Sequence, residues 1–237
     1  MRRSTLVPLL LLTAAARAGA VDLMIRQRVT GRGPGVQPHE ETLYLTPTRQ
    51  ISDAPRDRTV VNFETKTMTW VDKERKAYFV TTFDEMRREN EATQERLKEM
   101  PSVARQMMGM DTPVTFKPTG KREKIAGYEA KEYAAEGGFT TGTVWVTDAF
   151  EPPAAAREWQ HFAAAAGARS GPGGRLAEAM AQLKGLPLRS SLTTTMGPVK
   201  ITLESEALEV TERSPPADVL TAPNDYRKMP APHAEED

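Results

Sequence analysis

Residues 59–82 read TVVNFETKTMTWVDKERKAYFVTT, and this stretch decides the fold class. Large apolar side chains recur in it at alternate positions, which is the period of a β-strand. The alternating pairs are Val61 and Phe63, Met68 and Trp70, and Tyr78 and Val80. Because polar residues separate them, we expect one face of these strands to be buried and the other to contact water.

The same rhythm continues on both sides of this stretch, with turn residues about every eight to twelve positions. Such spacing is typical of an antiparallel sheet. Strands are predicted from residue 21 onward and at 42–46, 49–53, 59–64, 67–72, 77–82, 113–117, 123–126, 128–136, 139–148, 188–195 and 199–211.

A helical pattern replaces the strand pattern after Thr82. Thr82 and Glu85 have the spacing of a capping box, which predicts that a helix begins here. Pro101 is expected to end or kink this helix. A second helix carries Trp159 and Phe162, a third ends at Gly185, and residues 170–174 between them are expected to form a flexible joint. The narrow apolar stripe of the first helix consists of Met86, Thr93, Leu97, Met100, Ala104 and Met107.

About eleven strands and three helices, with the helices inserted between blocks of strands, predict an α+β fold. No repeat period and no long linker divides the sequence. We therefore expect one β-rich domain over residues 21–226, followed by a polar tail at 227–237.

Residues 1–20 have the composition of a secretory signal peptide. Arg2 and Arg3 precede an apolar stretch, and Ala18, Gly19 and Ala20 form a small-residue cleavage site, so we expect cleavage after Ala20 and a periplasmic protein. The apolar run is about half the roughly 20 residues that a membrane anchor needs. The sequence has no cysteine, which excludes disulfides and a lipid-accepting cysteine, so no stable membrane anchor is expected.

The composition also excludes several functional classes. The 32 basic and 32 acidic residues balance, so the chain is not a strongly basic nucleic-acid-binding protein. His39, His161 and His233 have no identifiable catalytic or metal-binding partners, and we expect neither a metal nor another cofactor. Without a nucleophile-base pair or paired acids, the chain is not expected to be an enzyme.

Methionines crowd one short segment, where Met107, Met108 and Met110 follow Met100. Flexible, polarizable side chains of this kind adapt to an irregular apolar ligand, but they also fill gaps in an ordinary core. Both interpretations remain open. On the first, the residues expected to line a ligand cavity are Trp70, Met107, Met108, Trp145, Trp159 and Phe162.

Four blocks carry a family resemblance: GKREKIAGYEAKEY at 120–133, VWVTD at 144–148, GLPLR at 185–189 and PNDY at 223–226. They resemble a bacterial exported domain family of unknown function that is similar to the LolA/LolB-type lipoprotein-carrier superfamily. The resemblance implies a curved antiparallel sheet or half-open β-barrel, with helices covering one face or mouth around an apolar cavity.

These observations favour a non-catalytic periplasmic binding or carrier protein for a lipid-like or acyl-chain ligand. The alternative is an envelope interaction or stress-sensing module, which would bind another envelope protein through the charged surface helix at residues 84–99. Enzymatic activity is a third hypothesis, which no sequence motif supports.

Overall fold

The computed structural model describes residues 21–34, 36–107, 112–137, 139–167, 172–196 and 199–231. The predicted signal peptide at 1–20, Met108 and His233 lie outside these residues. The first half of the described chain contains β1 Leu23–Arg32, β2 His39–Leu45, β3 Arg49–Asp53, β4 Asp57–Asn62, β5 Thr67–Asp72, β6 Ala77–Thr82, α1 Phe83–Lys98 and α2 Ser102–Met107. The second half contains β7 Thr115–Ile125, β8 Tyr128–Glu136, β9 Thr140–Thr147, α3 Ala154–Gly167, α4 Pro172–Ala181, β10 Leu186–Met196, β11 Val199–Glu212, a short 3-10 helix Ala217–Val219 and β12 Arg227–Lys228.

The strands form one large, curved and unclosed sheet in the order β12-β6-β5-β4-β3-β2-β1-β11-β10-β9-β8-β7. All neighbours are antiparallel except β12, which pairs in parallel with β6. Two meanders, β1 to β6 and β7 to β11, meet where β1 pairs with β11. Twelve strands and four helices in the described residues confirm a mostly β fold with a few helices. β12 lies in the segment predicted as a polar tail.

Helix α4 defines one face of the sheet, which we call the helix face. Val144 and Val146 of β9 and Leu192 of β10 pack there against Ala179, Leu176, Met180 and Leu183 of α4 and the residues after it. Helix α3 packs beside α4 and also touches α1, so it links the two. No helix among the described residues is long and apolar enough to cross a membrane.

The opposite face, which we call the outer face, is covered at β1 to β4 by the C-terminal segment, residues 213–226. Val219 and Leu220 of this segment pack against Met24 of β1, Tyr44 of β2, Ile51 of β3 and Val60 of β4. Neighbours on β4 point to opposite faces, yet Val60 and Val61 are only 4% and 2% exposed. The expectation that one face of these strands contacts water is therefore wrong, because the C-terminal segment supplies a second covering layer.

Two local predictions also change. The two strands predicted at 113–117 and 123–126 are replaced by the single long strand β7, Thr115–Ile125, whose pairing with β8 is irregular between Pro118 and Arg122. Pro172, Gly173 and Gly174 form the first turn of α4 rather than a joint. Proline suits this position because the first turn of a helix needs no donor from it.

Candidate ligand-binding site

Three aromatic rings lie together where α1 and α3 meet. The ring centroid of Phe83, the first residue of α1, is 4.9 Å from Trp159 and 5.5 Å from Phe162, and the latter two are 5.6 Å apart on α3. Trp159 and Phe162 are three residues apart and therefore share one side of their helix. The structure thus brings together two of the predicted lining residues and adds Phe83. We call these three residues the aromatic cluster.

Phe83 is fixed in place by its neighbours on both sides. Its backbone N–H donates to Lys66 O at 2.9 Å, which ties the start of α1 to the turn before β5. Thr82 and Glu85 form the predicted capping box. The backbone hydrogen bond from Thr82 is the main reason that the pKa of Glu85 lies below its usual value. The helix start is therefore held at the edge of the sheet.

A second aromatic pair lies on the sheet itself. Trp70 of β5 is directly opposite Phe79 of β6, with ring centroids 5.4 Å apart. Both side chains are only half-buried. The turn at residues 73–76 joins β5 and β6, and counting outward from it along the two strands pairs Trp70 with Phe79. This partner could therefore have been found from the sequence.

The pairing register places Trp70 and Phe79 on the helix face. Leu192, which packs with α4, is opposite Leu203 of β11, and Leu203 is opposite Gly31 of β1. Opposed residues share a face, as do residues two apart in one strand. Repeating these two kinds of step from Gly31 through β1, β2, β3 and β4 leads to Trp70 on β5 and Phe79 on β6. Both side chains therefore lie on the same face as Leu192.

Helix α1 packs on the surface of the fold and is not inserted into the core. Its stripe residues Met86, Thr93 and Leu97 are half-buried, and no side chain described in α1 is fully buried. Large apolar side chains on the helix face and on α1 therefore both keep partial exposure.

Trp145 does not belong to the aromatic cluster. It points to the opposite face of β9 from Val144 and Val146, because side chains alternate along a strand. It packs in a core cluster with Ile125 and Ala130, which also includes Leu23 and Ile25 of β1. Met107 is the last residue of α2, but its side chain is not part of the described structure. Met108 lies outside the described residues altogether. The structure thus divides the predicted lining set.

A cleft of about 560 Å³ lies between α3 and the turn that leads from α4 into β10. Two acidic residues at this cleft are paired, since Arg157 donates to Glu151 and Lys131 donates to Asp148. Other residues of the lining are Phe150, Gln160, His161, Leu183 and Lys184. Sequence patterns did not indicate this cleft, because it is built from three separate segments.

The histidines and acidic residues are the candidate metal ligands within the described part of the chain. No group of three potential ligands is close enough to hold a metal ion there. His39 lies on β2, where its Nδ1 is 2.9 Å from Gln37 O. His161 is exposed on α3.

A family model described as Domain of unknown function (DUF4412) matches residues 46–226, so the chain belongs to this family. The match confirms the expected domain of unknown function, whereas similarity to LolA/LolB-type carriers stays a prediction. No curated protein matches the chain.

Two solved structures illustrate the structural similarity found. PNGF-II is 13% identical, with a TM-score of 0.42, over 90% of this chain and 32% of that chain. The present chain thus spans about a third of the length of PNGF-II. An uncharacterized conserved protein from Thermus thermophilus is 9% identical, with a TM-score of 0.48, over 90% of this chain and 91% of the other.

Proposed function

We propose that this member of the DUF4412 family is a non-catalytic binding or carrier protein for a lipid-like ligand. The observation that carries the proposal is the set of half-buried aromatic side chains on two neighbouring layers. Trp70 and Phe79 lie on the helix face of the sheet, and Phe83 and Phe162 lie where α1 meets α3. An acyl chain between these layers would complete their burial.

Apolar burial would supply most of the affinity. Each buried CH₂ group contributes about 0.8 kcal/mol, so a chain of moderate length needs few polar anchors. Helix α1 is suited to move, because no described side chain of it is fully buried and its exposed side is strongly charged. We propose that α1 opens to admit the chain and that the capping box at Thr82 and Glu85 keeps its start fixed.

We also propose that the protein acts in the periplasm. This part of the proposal rests on residues 1–20, whose basic start, apolar run and small-residue end have the composition of a signal peptide. Detection of a mature N-terminus at Val21 by mass spectrometry of the periplasmic fraction would support it. An uncleaved N-terminus in the cytoplasmic fraction would contradict it.

The three tryptophans allow a direct test of the site. Dibromostearate quenches indole fluorescence at short range, and stearate serves as the unquenching control. A Trp145→Phe variant keeps Trp70 on the sheet and Trp159 on α3, and these two layers are the proposed walls of the site. Its emission should fall when dibromostearate binds.

The matched variant carries Trp70→Phe and Trp159→Phe and keeps only Trp145, which points away from α4. Its emission should fall much less, because Trp145 lies outside the aromatic cluster and is buried in a packed core with Ile125 and Ala130. Equal quenching in both variants, or no quenching in either, would contradict the proposed site. Native mass spectrometry of gently purified protein should in addition show a co-bound acyl species.

A second candidate function is binding of an envelope protein through α1. The observation in its favour is the exposed charge of this helix, where Asp84, Arg87, Glu95 and Lys98 are more than half exposed. If α1 binds an envelope protein, a variant in which these four charges are reversed should no longer capture that protein. Quenching of its tryptophan fluorescence by dibromostearate should be unchanged. Loss of quenching without loss of capture would favour the carrier function.

A further inference from the structure

Two amide oxygens are buried without a hydrogen-bond partner near the proposed site. They are Oε1 of Gln50, on β3, and Oδ1 of Asn90, on α1. A buried polar atom left unpaired costs about 1–3 kcal/mol, and most such atoms in folded proteins find a partner. Two such acceptors on neighbouring layers therefore call for a physical explanation.

Gln50 belongs to a row of opposed residues that crosses the helix face. Gln50 is opposite Val61, Val61 is opposite Met68, and Met68 is opposite Thr81. No side chain of this row is charged. At the end of the row, the Thr81 hydroxyl donates to Glu85 Oε2 at 3.4 Å, in the first turn of α1. The row thus runs from Gln50 across three strand-to-strand steps, about 14 Å in all, to the start of the helix that carries Asn90.

Asn90 lies on the covered side of α1. It is four residues after Met86 and three before Thr93, and these three positions follow one another along one side of a helix. All three side chains are half-buried, whereas Arg87, Arg88 and their neighbours on the other side are exposed. Asn90 therefore presents its amide on the same side of α1 as the apolar stripe.

We infer that the ligand is an uncharged single-chain amphiphile whose polar group donates hydrogen bonds, such as a monoacylglycerol or a fatty amide. This inference rests on the proposed carrier function and specifies its ligand class. A hydroxyl or amide donor of the ligand would pair with Gln50 Oε1 or with Asn90 Oδ1. An ionised carboxylate offers no donor. The one carboxylate at the end of the row, Glu85, already accepts hydrogen bonds from Thr81 and Thr82, so an ammonium group would lack a free counter-charge.

The test compares two ligands with the same acyl chain, monolauroylglycerol and methyl laurate, by calorimetric titration into the full chain. Only the first has hydroxyl donors. Wild-type protein should bind monolauroylglycerol about tenfold more tightly, which corresponds to about 1.4 kcal/mol. The double variant Gln50→Met and Asn90→Leu should bind both ligands with similar affinity. It should also melt at a higher temperature without ligand, because two unpaired buried acceptors are gone.

Thr211→Val is the matched control. Thr211 Oγ1 is likewise buried and unpartnered, but Thr211 is opposite Met24 and so lies on the outer face. This variant should keep the tenfold preference. Equal binding of both ligands by wild-type protein, or a preference that survives the double variant, would overturn the inference and leave the carrier function standing. Failure of either ligand to bind at all would overturn both.

Discussion

Arg58 and Asp53 form a largely buried ion pair on the outer face of the sheet. Arg58 Nε lies 2.7 Å from Asp53 Oδ1, and the Arg58 side chain is only 10% exposed. The same guanidinium donates from Nη1 to Asp218 O at 2.7 Å, in the C-terminal segment. Asp53 also accepts from Lys73 Nζ at 2.8 Å. Arg58 thus joins β4 to the segment that covers the outer face.

Replacing Arg58 should loosen this attachment. Arg58→Met leaves the Asp218 carbonyl without its donor and removes one of two cations at Asp53, so we expect a loss of about 3 kcal/mol in the free energy of unfolding. Arg56→Met is the control, because Arg56 and its partner Glu74 are more than half exposed. The control should lose less than about 1 kcal/mol. Urea denaturation measures the loss of stability in both variants. Equal losses would contradict the role of Arg58 in attaching the C-terminal segment.

The same carboxylate should make stability depend on acid pH. Burial raises the pKa of Asp53, but hydrogen bonds from Lys73 and Arg58 outweigh burial, so this pKa lies below its ordinary value of 3.8. A lowered pKa in the folded state stabilises the protein above the unfolded-state pKa, and this stabilisation disappears as pH falls through the folded-state pKa. Asp53→Asn should therefore cost most near pH 7, and its cost should shrink below about pH 4.

Urea denaturation at both pH values gives this difference. Asp84→Asn is the control, because Asp84 is exposed at the start of α1 and pairs only across one helical turn with Arg87. Its cost should be small at both pH values. A cost for Asp53→Asn that does not change with pH would contradict the prediction.

The capping box should control the opening of α1. Glu85 N donates to Thr82 Oγ1 at 3.1 Å, and Thr82 N donates to Glu85 Oε2 at 2.7 Å. Thr82→Ala should cost about 1 kcal/mol locally. Because no described side chain of α1 is fully buried, we expect about fivefold faster amide exchange in its first turns and little change in global stability. Thr65→Ala, in an exposed turn, should leave exchange in α1 unchanged.

Two glycines with positive φ should respond differently to alanine. Gly185 has φ +101°, and a Cβ there would be 2.3 Å from Thr147 O, whereas Gly127 has φ +91° and open space around it. Gly127→Ala should cost about 1 kcal/mol of backbone strain. Gly185→Ala should cost about 3 kcal/mol or more, because a clash with rigid backbone adds to the strain. Comparable melting temperatures for the two variants would disprove this explanation.

Locally encoded features were predictable from sequence. The bounds of β3, β5, β6 and β8 are those predicted, because alternation and tight turns are properties of neighbouring residues. The capping box at Thr82 and the interruption of the helix at Pro101, between α1 and α2, are likewise confirmed. Each depends on residues no more than a few positions apart.

Features that depend on distant segments were not predictable. Nothing near Val60 in sequence indicates that Val219 and Leu220 will cover it, so the burial of both faces was missed. The aromatic cluster was missed for the same reason, because α2 and the strands β7 to β9 lie between Phe83 and Trp159 in sequence. Trp145 was grouped with Trp159 because both are large and apolar, but Trp145 packs with Ile125 and Ala130 in a different cluster.

The position of β1 has a consequence for folding kinetics. Most neighbouring strands within each meander are joined by short turns and can assemble as hairpins, which are fast because their contacts are close in sequence. The exception is β9 and β10, which α3 and α4 separate. The two meanders join only where Leu23 is opposite Glu212 and the following residues pair in turn. Closing so long a loop carries the largest entropic cost in the sheet. Docking of β1 onto β11 is therefore expected to limit the folding rate, and it cannot begin until nearly the whole chain has been synthesised.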